Sequence, residues 1–204
     1  DAEPKEALVR MLMERAMDDD LLRRRLLLHA AKQGRGRIDL ATFRNAIDAA
    51  VDSQAIEDYR DMHDYAQGID EVVDSIEELR KDGHASEAIE LAEHALRAVE
   101  EAMQSVDDSD GEMGSLLERL QEIHLVSCLK APPDPVDLAK RLFAWEMSTP
   151  WDTFYGAAEK YASLLGEKGL AVYRELAEAQ WARVPARGPD QSKGGYEYVR
   201  VTHV

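Results

Sequence analysis

Cysteine is nearly absent: Cys128 is the only one in 204 residues. A single thiol closes no intramolecular disulfide and builds no multi-cysteine zinc site within the chain. It fits a reducing compartment, so a cytoplasmic location is expected. Aromatic residues are scarce, at 6%, which argues against a strand-rich fold. No run approaches the roughly 20 apolar residues that a bilayer span requires, so no membrane partner is expected. The charged, proline-bearing start at residues 1–5 is unlike a signal peptide. Also missing are a phosphate-binding glycine loop, a dinucleotide fingerprint, a serine elbow and a metalloprotease helix. No catalytic, cofactor-binding or metal-ligating residue is assigned on this basis, and the chain reads as a non-enzyme without a cofactor.

What is present is material for helices. Hydrophobic residues make up 45% and charged residues 32%, enough apolar surface to bury a core. Alanine, leucine and glutamate dominate, as in long helices. The net charge of −16 is concentrated in the middle. Residues 45–130 hold 23 Asp/Glu against 6 Lys/Arg, whereas residues 1–44 carry a slight positive excess and 131–204 are nearly balanced. An acidic middle repels phosphate backbones, so direct nucleic acid binding by this chain is not expected. It acts as a solubilising face or as a docking surface for a basic protein partner.

Periodicity and end signals predict nine helices. Ala7, Leu8, Met11 and Leu12 begin the first. Asp18-Asp19-Asp20 opens the second and Gly34 closes it, ahead of a loop at residues 33–37. Asp39 caps a third that runs to about Asp52. The clearest two follow. Met62, Tyr65, Ile69, Val72, Ile76 and Leu79 form one seam; Ala88, Ala92, Ala95, Val99, Ala102 and Val106 form the next. The turn Lys81-Asp82-Gly83-His84 joins them antiparallel. Ser115-Leu116-Leu117-Glu118 reads as a capping box for a sixth helix. Asp134-Pro135 and Thr149-Pro150 each place a cap and a first-turn proline for a seventh and an eighth. Gly166 ends the eighth, and the ninth stops before Pro185. Residues 186–204 read as a linker and tail leading to a further C-terminal part. The helical domain is residues 1–185, with possible sub-units 1–53 and 60–185.

The offsets Gly83, Ala88, Ala95 resemble the second half of a tetratricopeptide repeat, and Gly166 with Ala171 gives a weaker echo. The early tryptophan, Leu-Gly and tyrosine of a full repeat are absent upstream. Three further stretches resemble a bacterial family of uncharacterised helical proteins: Leu26-Leu27-Leu28 after an acidic cap, residues 107–112, and Trp151-Asp152-Thr153-Phe154-Tyr155-Gly156. Some members of that family carry a SWIM-type zinc finger. The resemblance covers most of residues 5–185 and implies a tetratricopeptide-like array. Cys128 alone cannot furnish such a finger, so any zinc site is expected outside this chain.

Several constellations invite a chemical reading and are weighed against packing. His124 and Cys128, four apart on one helix face, pair an imidazole with a thiol; no orienting acid or oxyanion turn goes with them, so core packing leads. Asp107 to Glu118 mimics a calcium loop but places Glu112 where that loop requires glycine. Glu87, Glu90 and His94 do not make the paired Glu-x-x-His of a di-iron bundle. His29, His63, His84 and His203 are isolated. Arg23-Arg24-Arg25 with Lys32, Arg35 and Arg37 is the one basic cluster, read as ion pairing on a helix surface. Trp145, Trp151, Phe154 and Tyr155 gather at one helix junction, either as inter-helix core or as an exposed anchor for a partner.

The fold expected is all-α, a right-handed array of antiparallel helix pairs forming a tetratricopeptide-like solenoid. The function expected is a protein-protein interaction or scaffold module. The alternative is a regulatory helical segment of a larger nucleic-acid-associated protein of the SWIM zinc finger type.

Overall fold

A computed structural model describes residues 5–32, 38–52 and 62–183. Among these residues there are nine helices and no strand: α1 (Lys5–Asp18), α2 (Asp20–Lys32), α3 (Leu40–Val51), α4 (Met62–Lys81), α5 (Ala85–Ala102), α6 (Glu112–Lys130), α7 (Pro135–Ser148), α8 (Ala157–Lys160) and α9 (Ala162–Trp181). The expected loop with Gly34, Arg35 and Arg37, the boundary between sub-units at 53–60, Pro185, His203 and the tail at 186–204 lie outside the described residues. The chain divides into two compact units, Asp1–His124 and Leu125–Val204, with the boundary inside α6.

In the first unit the local signals work as written. Asp39 caps α3: its carboxylate accepts from the Thr42 N–H at 3.3 Å and from the Thr42 hydroxyl at 2.8 Å. Those two bonds hold its carboxyl below the ordinary range. α4 ends in a left-handed turn at Gly83, φ 96°. The Gly83 N–H donates to the Arg80 carbonyl at 3.3 Å and the His84 N–H to the Leu79 carbonyl at 3.0 Å. This is the paired closure that a glycine after the C-cap provides. It sends α5 back along α4, and both apolar seams are buried, Ile69 to Leu79 on one and Ala88 to Val99 on the other. The Tyr65 hydroxyl donates to the Val51 carbonyl at 2.6 Å, satisfying the end of α3. Burial first, and the charge of Asp52 second, push that phenol up to about 12.

Two expected boundaries move. α5 ends at Ala102, not Val106. α6 begins at Glu112, and Ser115 lies inside it rather than capping it. Asp108 is the cap: its carboxylate reaches forward to the N–H groups of Met113 at 2.9 Å and Gly114 at 3.0 Å. Glycine at 111, φ 74°, makes the turn that allows this reach.

A fixed register links the helices of this unit. Arg25 meets Glu71, with Nε at 3.1 Å from Oε2; Lys32 meets Glu78; Arg44 meets Glu90; and His94 Nε2 is 2.6 Å from Asp48. Each pair is 46 residues apart. α2 therefore runs parallel beside α4, and α3 parallel beside α5. The buried faces repeat at the same interval: Phe43, Ala46 and Ala50 in α3 correspond to Ile89, Ala92 and Leu96 in α5. A tetratricopeptide repeat advances by about 34 residues, so the interval here is longer. The pairs are largely exposed and each contributes little free energy. Their effect is to choose the register.

In the second unit α7 packs along α9. Asp134 caps α7 through the N–H groups of Val136 and Asp137, at 2.9 and 3.0 Å, with Pro135 in the first turn. A Cβ on Gly169 would stand 2.8 Å from the Pro135 carbonyl oxygen, so glycine sets how closely α9 crosses the start of α7. The expected stop at Gly166 is a break within α9, where φ 53° and ψ −167° suit glycine alone. The expected helix from Thr149-Pro150 does not form. Residues 149–156 are turns, followed by the single-turn α8.

A candidate interaction surface at residues 149–156

The four aromatic residues singled out from sequence separate into two pairs. Trp145 is buried on α7 and meets Phe154 edge-to-face, with centroids 5.2 Å apart. Phe154 continues to Tyr161 at 6.0 Å, also edge-to-face. These rings are core. Trp151 and Tyr155 are on the outside, at 36% and 43% exposure. The helix expected to start at Thr149-Pro150 would have carried both; they stand instead on a turn, because that helix is absent.

The turn is held by opposing demands. Asp152 and Phe154 have positive φ, 55° and 61°, and Gly156 follows at 71°. A left-handed non-glycine residue costs about 1–3 kcal/mol. Burying a phenylalanine side chain returns about 1.5–3 kcal/mol, so the insertion of Phe154 offsets the strain at its own position. Glu146 supplies the rest. One of its oxygens accepts the Gly156 N–H at 2.9 Å, and the other accepts the Tyr173 hydroxyl. Tyr173 is also edge-to-face with Phe143 at 5.3 Å. Burial first and this bond second raise the Tyr173 phenol far above its ordinary range. The Trp151 N–H donates to the Thr149 hydroxyl at 3.1 Å. Thr153, between the two strained positions, is fully buried, and its hydroxyl has no hydrogen-bond partner among the described residues. The sequence signal that could have marked this turn is Glu146, a half-buried acid one residue after the buried Trp145 of α7.

The other constellations resolve into structural roles. His124 is fully buried, with Nε2 3.2 Å from Glu93. Cys128 is buried in the second unit. Asp107 accepts from the Ser109 N–H at 3.2 Å, and Asp108 is the α6 cap. Within the basic cluster, Arg25 and Lys32 are paired to α4, and Arg24 reaches the Gly68 carbonyl at 3.4 Å. Ion pairing on a helix surface was expected, and the acids that take Arg25 and Lys32 come from α4. Arg119 gathers three carboxylates, Asp70 at 2.5 Å, Asp74, and Glu77 at 3.0 Å. Hydrogen bonds from Lys81 and Arg119 hold Glu77 down to about 2. Among the described residues no group of three or more His, Cys, Asp or Glu is placed to hold a metal ion, and no helix is long and apolar enough to cross a membrane.

No curated protein and no solved structure matches the chain. Residues 4–202 match the family of unknown function DUF6880, which is nearly the whole length, and the protein is a member of that family.

Proposed function

We propose that the chain is a protein-protein interaction module, an array of antiparallel helix pairs that meets its partner through the turn at residues 149–156. The observation that carries this reading is the exposure of Trp151 and Tyr155 on a backbone already fixed by Glu146 and Phe154. Large aromatics dominate interface energetics, and a turn ordered before binding loses little entropy on association. The interval of 46 residues supports an array, since two-helix repeats of the HEAT type recur at about 40–47 residues. Such arrays act through surface, as scaffolds, rather than through a catalytic centre. The excess of acids over residues 45–130 favours a basic partner and makes encounter salt-sensitive. A cytoplasmic location belongs to the same proposal and rests on the single cysteine. The nucleic-acid-associated alternative has weaker support, because Arg24, Arg25 and Lys32 are engaged by α4.

The test is capture on the immobilised chain from an extract of its native host, followed by affinity measurement of the recovered protein at low and high salt. Trp151→Ala with Tyr155→Ala should weaken binding more than about tenfold, as for an interface anchor, while the melting temperature stays unchanged. Undiminished binding by the double variant overturns the proposal.

A further inference from the structure

A cavity of about 340 Å³ opens between α2 and α3 in the first unit. Arg23 and Arg24 line it from α2 and Asn45 from α3, beside the apolar side chains of Leu27, Ala46 and Ala49. Among the described residues its lining holds two cations and no acid, in a chain of net charge −16. Two other cavities of this unit differ. Glu71, Asp74 and Glu78 line the one between α2 and α4, and Asp70 and Glu112 the one between α4 and α6. Three acids close to the α2–α3 cavity in the chain are turned to other groups. Asp19 accepts from the Leu22 N–H at 3.0 Å and pairs with Arg15; Asp39 accepts from Thr42; Asp48 meets His94.

The Arg24 guanidinium is held in place. Its Nη1 donates to the Gly68 carbonyl at 3.4 Å and its Nη2 to the Ala49 carbonyl at 3.5 Å. Both acceptors are neutral, so these bonds orient the group and leave its charge intact. A guanidinium already oriented loses less side-chain entropy when it meets an anion. The exposed Asn45 amide adds two N–H donors to the same lining.

We propose that this cavity binds a phosphate monoester carried on a small organic body, the class of nucleoside monophosphates and sugar phosphates. Such a group carries a charge of about −1.5 to −2 near pH 7, which two guanidinium groups match, whereas a carboxylate carries a single charge. Guanidinium forks bond phosphate oxygens in pairs. Leu27, Ala46 and Ala49 then meet the organic body, and the volume lies in the range of small-molecule sites, about 300–1,000 Å³. The reading does not depend on the turn at residues 149–156.

Amide NMR of the whole chain, titrated with adenosine monophosphate and separately with adenosine, tests this. Adenosine monophosphate should shift amides within residues 22–28 and 42–49, with a Kd of about 1 mM or tighter. Adenosine should bind at least about tenfold more weakly, and Arg23→Gln should weaken the phosphate ligand by a similar factor, since each removes charge-assisted bonds. Asn45→Asp keeps the side-chain shape and sets a negative charge against the phosphate. It should also weaken binding at least about tenfold, with the melting temperature unchanged. Absence of shifts at those amides overturns the proposal. So does binding that is equal for adenosine, or indifferent to both substitutions. A phosphoserine peptide bound more than about tenfold more tightly than adenosine monophosphate would give the site to a partner protein and equally overturn it.

Discussion

Glu146 and Tyr173 join α7 to α9 through a hydrogen bond from the phenol to the carboxylate, while the second oxygen of the same carboxylate fixes Gly156 at the end of the exposed turn. The presentation of Trp151 and Tyr155 thus depends on the bond that Glu146 makes to the backbone of the turn. Tyr173→Phe should cost about 1.5–3 kcal/mol, the contribution of a bond to a charged acceptor. Glu146→Ala should cost more, since it also strands the Gly156 N–H. A double-mutant cycle in urea unfolding should return a coupling of at least about 1 kcal/mol; additive losses would show that the two groups do not interact.

Thr153 gives a prediction of opposite sign. Its hydroxyl is buried and unpartnered, and such a group costs about 1–3 kcal/mol of desolvation. Thr153→Val keeps the branched shape and removes the hydroxyl. The variant should be at least as stable as the wild type, by up to about 1 kcal/mol. A clear loss in thermal unfolding would mean that the hydroxyl is bonded.

Gly169 sets helix propensity against contact. Alanine in place of a helical glycine gains about 1 kcal/mol of propensity. Here the added carbon would meet a backbone oxygen at 2.8 Å and Leu165 Cβ at 3.0 Å. Overpacking against backbone costs about 1–3 kcal/mol. The clash should win, so Gly169→Ala should lower the melting temperature; an increase would show that α7 and α9 yield.

Acid should loosen the first unit through Glu77. Lys81 and then Arg119 hold its carboxyl at about 2, below the ordinary 4.5. A depressed folded value means stability that is present above pH 4.5 and lost as pH falls toward 2. The urea midpoint of the wild type should exceed that of Glu77→Gln at neutral pH, and the two should converge across that window. A gap unchanged at pH 2 would assign the effect to something other than ionisation.

The parts legible in sequence are those governed by neighbours within a few residues. Asp39 and Asp134 are read as caps because a cap bonds two or three residues ahead. Gly83 is read as a turn because only its left-handed backbone closes α4 in that space. The α4 and α5 seams follow from the helical period. Asp108 escaped because it caps from five and six residues back, across a glycine turn. Thr149-Pro150 misled because it carries the same cap, proline and acid as Asp134-Pro135. The second pattern is overridden by Phe154, which is buried among Trp145 and Tyr161, and by Glu146, which takes the Gly156 N–H.

The sequence by itself determined that the chain is helical, where most helices begin and end, and that its middle is acidic, since each of these is set by local backbone chemistry or by composition. Only the tertiary structure decided which aromatic residues are core and which are exposed, that Arg25, Lys32 and Arg44 find their acids 46 residues away, and that α1 keeps an open apolar face. Those outcomes depend on which surfaces meet. Residues far apart in the chain leave no mark of their meeting in the local pattern.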